Sequence, residues 1–257
     1  MQLLYIIGFG RTGHSILGAM LDAHPNIQVC NDGYHFDATA NIVQTLIDGS
    51  AQRAATLRYP HSEKWDGSNA PDYDYKMPGW WQGKNDGRLD VIGFKSAHGS
   101  VLMHNMGDLD LVNRLVLQPS KLPVKMIVPC RNPYDTIASF AHLMRIDQPS
   151  RIAFFTEDLR KHWEVVDHYV GIVGKENTLW THHEDFVSDP AACLTGILDF
   201  LSVSAPTGYL AACKARAFTA QRQTRHLYGP WSADEKAVVD ALIRERSELS
   251  RYAGSFA

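Results

Sequence analysis

Leu3-Leu4-Tyr5-Ile6-Ile7-Gly8-Phe9-Gly10-Arg11-Thr12-Gly13-His14-Ser15, continued by Ile16 to Leu21, reads as a buried strand, a glycine-rich turn and the start of a helix. Against the nucleotide-binding pattern G-x-x-x-x-G-K-[ST], Gly8 to Ser15 fits at every fixed place but one, where His14 replaces the lysine. Glycines in such a turn let successive backbone N–H groups point at one anion, and the helix start behind them adds unpaired N–H groups and a partial positive charge. Arg11 offers a forked cation, and the hydroxyls of Thr12 and Ser15 can donate to phosphate oxygens. The loop suits an anion, while the missing lysine argues against ATP or GTP and for another phosphorylated donor.

A chain of 257 residues with 45% hydrophobic content suffices for one large α/β domain, and residues 1–257 read as a single domain without repeats or low-complexity linkers. A formal net charge of −3 argues against general nucleic-acid affinity, so a small partner is expected. The four cysteines are scattered with no C-x-x-C pair, which suggests neither a zinc site nor a disulfide framework and fits a reducing compartment. The first strand begins almost at Met1, and no segment approaches the roughly eighteen apolar residues of a membrane helix. A soluble cytoplasmic protein with no membrane contact is the expectation.

Beyond the loop, Ile16 to Ala23 carries apolar residues at helical spacing and stops at His24-Pro25; Ile27 to Cys30 reads as a strand and Asn41 to Ile47 as a short helix. From about residue 50 to 90 the periodicity fails. Trp65, Tyr73, Tyr75, Trp80 and Trp81 there suit either an acceptor-binding lid or a satellite cluster under a long loop. Val91 to Lys95 is a strand ending in a cation, Asp108 to Leu117 a helix, and Val124 to Cys130 a strand leading into a helix over Asp135 to Met144. Ile152 to Val173 reads as a long helix, Thr178 to Thr181 as a strand, and Ala191 to Leu201 as a helix. Ser232 to Glu248 closes the chain, with Ser232 and Glu235 forming a capping box. Strands alternating with helices imply an α/β fold with a mostly parallel sheet covered on both faces.

Three segments, in this order, make the chain resemble the sulfotransferases that use 3′-phosphoadenosine-5′-phosphosulfate, a family related in fold to the P-loop kinases. Gly10 to Ser15, with Leu21-Asp22-Ala23-His24-Pro25 behind it, is similar to the family's 5′-phosphosulfate loop, whose [RK]-[ST]-G-[ST]-[ST] core precedes a helix ending in His-Pro. Cys130-Arg131-Asn132-Pro133-Tyr134-Asp135-Thr136-Ile137-Ala138-Ser139 looks like R-[DN]-P-x-D-x-x-x-S, in which Arg131 and Ser139 would grip the 3′-phosphate. Trp180 to Pro190 resembles a segment containing Y-E-D-L-x-x-D-P, with His183 in the tyrosine's place among the donor-site residues; in the later F-L-G, Ser202 replaces the glycine.

The resemblance implies donor contacts from Gly10, Arg11, Thr12, Gly13, His14 and Ser15, and places Lys95, within Gly93-Phe94-Lys95-Ser96, beside the transferred group. A cation there would stabilise charge developing on the leaving phosphate, with Arg11 assisting. The acceptor's proton needs a base, and Asp32, His98 and His35 are all candidates: a carboxylate shortly after His-Pro, or a histidine soon after the lysine. Near the C-terminus Arg222 and Arg225 resemble the family's late basic loop and would reach the 3′-phosphate; otherwise they form a solvated basic turn. The implied reaction moves a sulfuryl group to a hydroxyl or amine of a small-molecule or glycan acceptor and needs no metal. A P-loop kinase and a non-catalytic nucleotide-binding protein are the rival readings.

Overall fold

The computed structural model describes residues 1–31, 41–56, 75–96, 104–105, 107–143, 151–217, 223–226 and 231–256. Its centre is strand β1 (Gln2–Ile7), wholly buried from Leu3 to Ile7. Strand β3 (Val91–Ser96) pairs with it on one side, Gln2 opposite Val91 through Ile7 opposite Ser96, and β4 (Val124–Cys130) on the other, Leu3 opposite Val124. With β2 (Ile27–Asn31) beside β3 and β5 (Thr178–His182) beside β4, the sheet runs β2-β3-β1-β4-β5, every pair parallel.

Strand alternation divides the core in two. Leu3, Tyr5 and Ile7 face one cluster with Ile92, Phe94, Met126 and Val128, while Leu4 and Ile6 face another with Val91 and Ile127. Helices α4 (Arg151–Val173) and α8 (Ala233–Glu245) cover the first face through Phe155, Trp163, Tyr169, Val239 and Leu242. Helices α1 (His14–Asp22), α6 (Pro190–Phe200) and α7 (Tyr209–Arg216) cover the second. Every strand therefore delivers its carboxyl end to one edge, where α/β proteins place their ligands.

Helix α2 (Ile42–Thr56) runs nine residues beyond the expected stop at Ile47 because Ser50 is buried and tied down. Its hydroxyl donates to Asp22 Oδ1 at 2.8 Å, which also accepts the Val29 N–H at 2.8 Å, while Oδ2 accepts the Gly83 N–H at 2.8 Å. One buried carboxylate thus joins α1, β2, α2 and the segment before β3. Asp22→Asn turns an amide NH₂ towards at least one backbone N–H, and a buried donor left unsatisfied costs about 1–3 kcal/mol. A denaturant midpoint lowered at unchanged slope is the expected result, and a midpoint equal to wild type would remove Asp22 as a tie.

The aromatic-rich segment is docked where it is described. Tyr75 and Trp80 pack on the second cluster, with Trp80 edge-on to Tyr209 at 5.5 Å. Gln82 pins the segment by accepting from the Met77 N–H and donating to the carbonyls of Ala19 and Tyr75. Tyr75 and Trp80 are therefore satellite core; Trp65 and Tyr73 lie outside the described residues. His24, at the end of α1, is a buried tether: Nε2 lies 3.0 Å from the Ser204 carbonyl, and Nδ1 accepts the Asn26 N–H.

The expected helix over 108–117 departs from α geometry, forming a π-helical turn over Asn113–Leu117 that runs into Gln118–Ser120. Pro119 has no N–H to return to a preceding carbonyl, and Tyr169 Oη accepts the Val112 N–H at 3.1 Å. Helix α3 (Pro133–Leu143) starts two residues before the expected Asp135, with Pro133 as its first residue. Two helices had no clear signal, α5 (His183–Ser188) and α7, the latter held by the Tyr209 hydroxyl donating to the Met20 carbonyl at 2.7 Å. The Ser232–Glu235 capping box is present, but α8 ends at Glu245 because Arg246 is extended. Ser202, standing where the family pattern has glycine, adopts φ 54°, the conformation glycine would take at least cost. No helix among the described residues is long and apolar enough to cross a membrane.

Candidate active site

The loop between β1 and α1 takes left-handed backbone twice, at Arg11 (φ 74°) and Gly13 (φ 86°). For a non-glycine residue this costs roughly 1–2 kcal/mol, and at Arg11 it accompanies a side chain whose Nε donates to Ser139 Oγ on α3 at 2.9 Å. Gly13, which has no side chain to cap with, is the N-cap of α1, so the first turn of that helix begins at the loop. A Cβ on Gly13 would lie 2.6 Å from Nδ1 of His183. Gly13→Ala is therefore expected to lower the melting temperature by both strain and collision. Adding His183→Ala should restore only the collision's share, and full restoration would show that φ at this position carries no cost.

Thr12 gives its hydroxyl hydrogen to the Phe9 carbonyl at 2.8 Å, so toward His14 Nδ1, 3.2 Å away, it can only accept. The proton of His14 thus sits on Nδ1, and the ring packs over Gly8, whose added Cβ would meet the His14 Cβ at 3.0 Å. His14 is buried in the loop, in the place where a kinase-type loop carries its lysine. A lysine does reach the helix start from another strand: Lys95, 5% exposed at the end of β3, donates from Nζ to Ser15 Oγ at 2.9 Å.

At the end of β4 the buried Arg131 donates from Nη1 to the Arg11 carbonyl at 2.9 Å and from Nη2 towards Thr224 Oγ1 at 3.4 Å. The turn that carries it is fixed from the first turn of α5: Glu184 accepts the Asn132 N–H at 2.9 Å and the Tyr252 hydroxyl at 2.6 Å. Asp135, the acid in the first turn of α3, does not pair with Arg131. It binds Arg225 instead, whose Nη1 is 2.6 Å from Oδ2 and whose N–H is 2.8 Å from Oδ1. Arg225 is consequently buried, and the reading of it as part of a solvated turn is corrected. Burial works against ionisation of Asp135, while the Arg225 N–H and the charges of Arg131 and Arg225 favour it.

His183 sits against Gly13 and near both arginines. Burial first, then Arg131 and Arg11, pull its pKa down to about 3, so it is a neutral wall of the site rather than a cation. The edge of the sheet thus gathers Arg11, Thr12, Gly13, His14, Ser15, Lys95, Arg131, Ser139, His183 and Arg225. Asp32, His35, His98 and Arg222 lie outside the described residues. The sequence reading did not identify Asp135, Thr224 and Glu184 as supports, although Asp135 and Glu184 stood inside the quoted motifs and Thr224 in the late loop beside Arg225. The two carboxylates are engaged by N–H and O–H donors, so the arrangement presents cations and hydroxyls and suits an anion with more than one charged group.

The family model described as Sulfotransferase domain matches residues 3–236. No curated protein sequence matches the chain significantly. Among solved structures, the chain is similar to mouse sulfotransferase SULT7A1 complexed with PAP, at 14% identity and TM-score 0.54, covering 100% of this chain and 89% of that one. It is similar to sulfotransferase STF9 from Mycobacterium avium at 13% identity and TM-score 0.53, covering 96% and 77%. It is also similar to the sulfotransferase domain of the Synechococcus PCC 7002 olefin synthase, at 18% identity and TM-score 0.52, covering 100% and 94%. These likenesses carry the fold, and the family model spans the loop, Lys95, the Arg131 turn and Arg225; the chain belongs to the sulfotransferase domain family.

Proposed function

We propose that this sulfotransferase takes 3′-phosphoadenosine-5′-phosphosulfate as donor and passes its sulfuryl group to a hydroxyl or amine of a small-molecule or glycan acceptor by in-line displacement. The observation that carries this reading is the contact of Arg11 with both Ser139 and Arg131, which joins the loop to the β4–α3 turn. A donor with anionic groups at both ends of its nucleoside fits a site built from two such joined halves. The residues fit the donor chemically: first-turn N–H groups of α1, Ser15 and Lys95 would hold the 5′ side, while Arg131 and Ser139 would hold the 3′-phosphate. Arg225 lines the same end of the site.

When bound, the donor supplies an activated sulfuryl group on a phosphate leaving group. Lys95 and Arg11 would neutralise charge gathering on that phosphate, and the loop N–H groups would hold it without reorganisation. His14, with its proton on Nδ1, supports the loop from within. The acceptor's proton would pass to Asp32 or His35, in the segment after β2, or to His98, in the segment after β3.

A kinase reading would need an acidic residue at a strand end to position magnesium, whereas β4 is followed at once by Arg131 and Asp135 is committed to Arg225. Thermal stabilisation by adenosine 3′,5′-bisphosphate but not by ATP with magnesium is expected, and the opposite ranking would overturn the donor assignment. Transfer of label from the phosphosulfate donor to a panel of hydroxyl and amine acceptors then tests catalysis against mere binding.

A further inference from the structure

We propose that Asp135 is a positioning residue for recognition of the 3′-phosphate, clasping Thr224 and Arg225 to the first turn of α3 so that the guanidinium of Arg131 is held in one orientation. The proposal rests on the donor reading above and adds a residue that would touch no ligand atom. Asp135 is wholly buried and receives three hydrogen bonds from two consecutive residues some ninety positions later. Its carboxylate takes the N–H and Nη1 of Arg225, and its carbonyl takes the Thr224 hydroxyl at 2.7 Å.

The third bond links the clasp to the ligand site. Having given its hydrogen to Asp135, Thr224 Oγ1 can only accept, and the donor placed against it is Nη2 of Arg131. Because Nη1 of Arg131 is held by the Arg11 carbonyl, both terminal nitrogens of the fork have partners on different segments. Trp231 fixes the far side of the clasp by donating from Nε1 to the Arg225 carbonyl at 2.9 Å and packing edge-on against Tyr134 at 5.1 Å.

A buried ion pair contributes little net stability, because desolvation offsets its attraction, so its effect is felt as specificity. An acid in the first turn of a helix could serve only the helix dipole, but that role requires no bond to Arg225. Nor is the pair saturated: Arg225 Nε is buried with no acceptor among the described residues. The clasp therefore places a second guanidinium with a spare donor in the wall that carries Arg131.

The test compares binding of adenosine 3′,5′-bisphosphate and adenosine 5′-monophosphate, which differ only in the 3′-phosphate, by calorimetry. Asp135→Asn keeps shape but cannot accept from both Arg225 groups, and Thr224→Val removes only the hydroxyl. Each variant is expected to raise the Kd of the bisphosphate about tenfold or more while the monophosphate changes less than about twofold. Equal losses for both ligands would reduce Asp135 to a structural role and overturn the proposal, as would an unchanged preference in folded variants. Should Asp135→Asn fail to fold, Thr224→Val alone decides between these outcomes. Wild-type protein without preference for the bisphosphate would sink the donor reading itself, a result distinguishable from failure of the clasp.

Discussion

Lys95→Met is expected to lower sulfuryl-transfer turnover by about 10²–10³-fold, the scale seen when one preorganised donor to developing charge is removed. The side chain is committed to this position by strand alternation: Ile92 and Phe94 face one cluster and Val91 the other, so Lys95 projects to the side that carries α1. There its ammonium reaches Ser15 Oγ at 2.9 Å and is almost excluded from solvent. A cation in such surroundings acts on nearby charge far more strongly than one in water. Methionine keeps the length and volume without the charge, so the fold should persist and the product's 3′ end should bind as before. Single-turnover transfer from labelled donor measures the effect, and a rate within a few-fold of wild type would remove Lys95 from the transfer step.

That prediction was reachable from sequence because Lys95 ends a strand whose pattern is local, and the same is true of the β1 loop, the Arg131 turn and the Ser232 cap. Each is written in residues near one another, where periodicity, glycine placement and capping chemistry act. The supports of the site are not written that way. Asp135 invites pairing with Arg131, four residues away, yet its partner is Arg225, brought over α3 by Trp231 and Thr224. His183 stood in a motif, but its packing against Gly13, on a loop some 170 residues earlier, shows only in the structure. Helix α2 outran its apparent end for a similar reason, since Ser50 is held by Asp22 rather than by its neighbours. Non-local bonds of this kind leave no period in the sequence, so motif and spacing yield the groups gathered at the sheet edge and miss what orients them.

Arg131→Ala is expected to weaken binding of adenosine 3′,5′-bisphosphate by about 2–3 kcal/mol, or roughly 30–150-fold, the range for hydrogen bonds that involve a charged group. The loss should reach that size because Arg131 has two duties. In the proposed donor pose its charge would face the 3′-phosphate, and its terminal nitrogens tie the Arg11 carbonyl to Thr224, so the truncation also frees the strained turn at Arg11. Arg131→Lys separates the two: it keeps a charge but, with one nitrogen, cannot span the Arg11 carbonyl and Thr224 together. An intermediate bisphosphate affinity for the lysine variant, with an adenosine 5′-monophosphate affinity no better than that of the alanine variant, is the expected pattern. Calorimetry on both ligands reads it directly. A lysine variant equal to wild type would show that charge alone suffices and that the fork's two tethers are incidental. An alanine variant with unchanged bisphosphate affinity would place the 3′-phosphate away from the β4–α3 turn altogether.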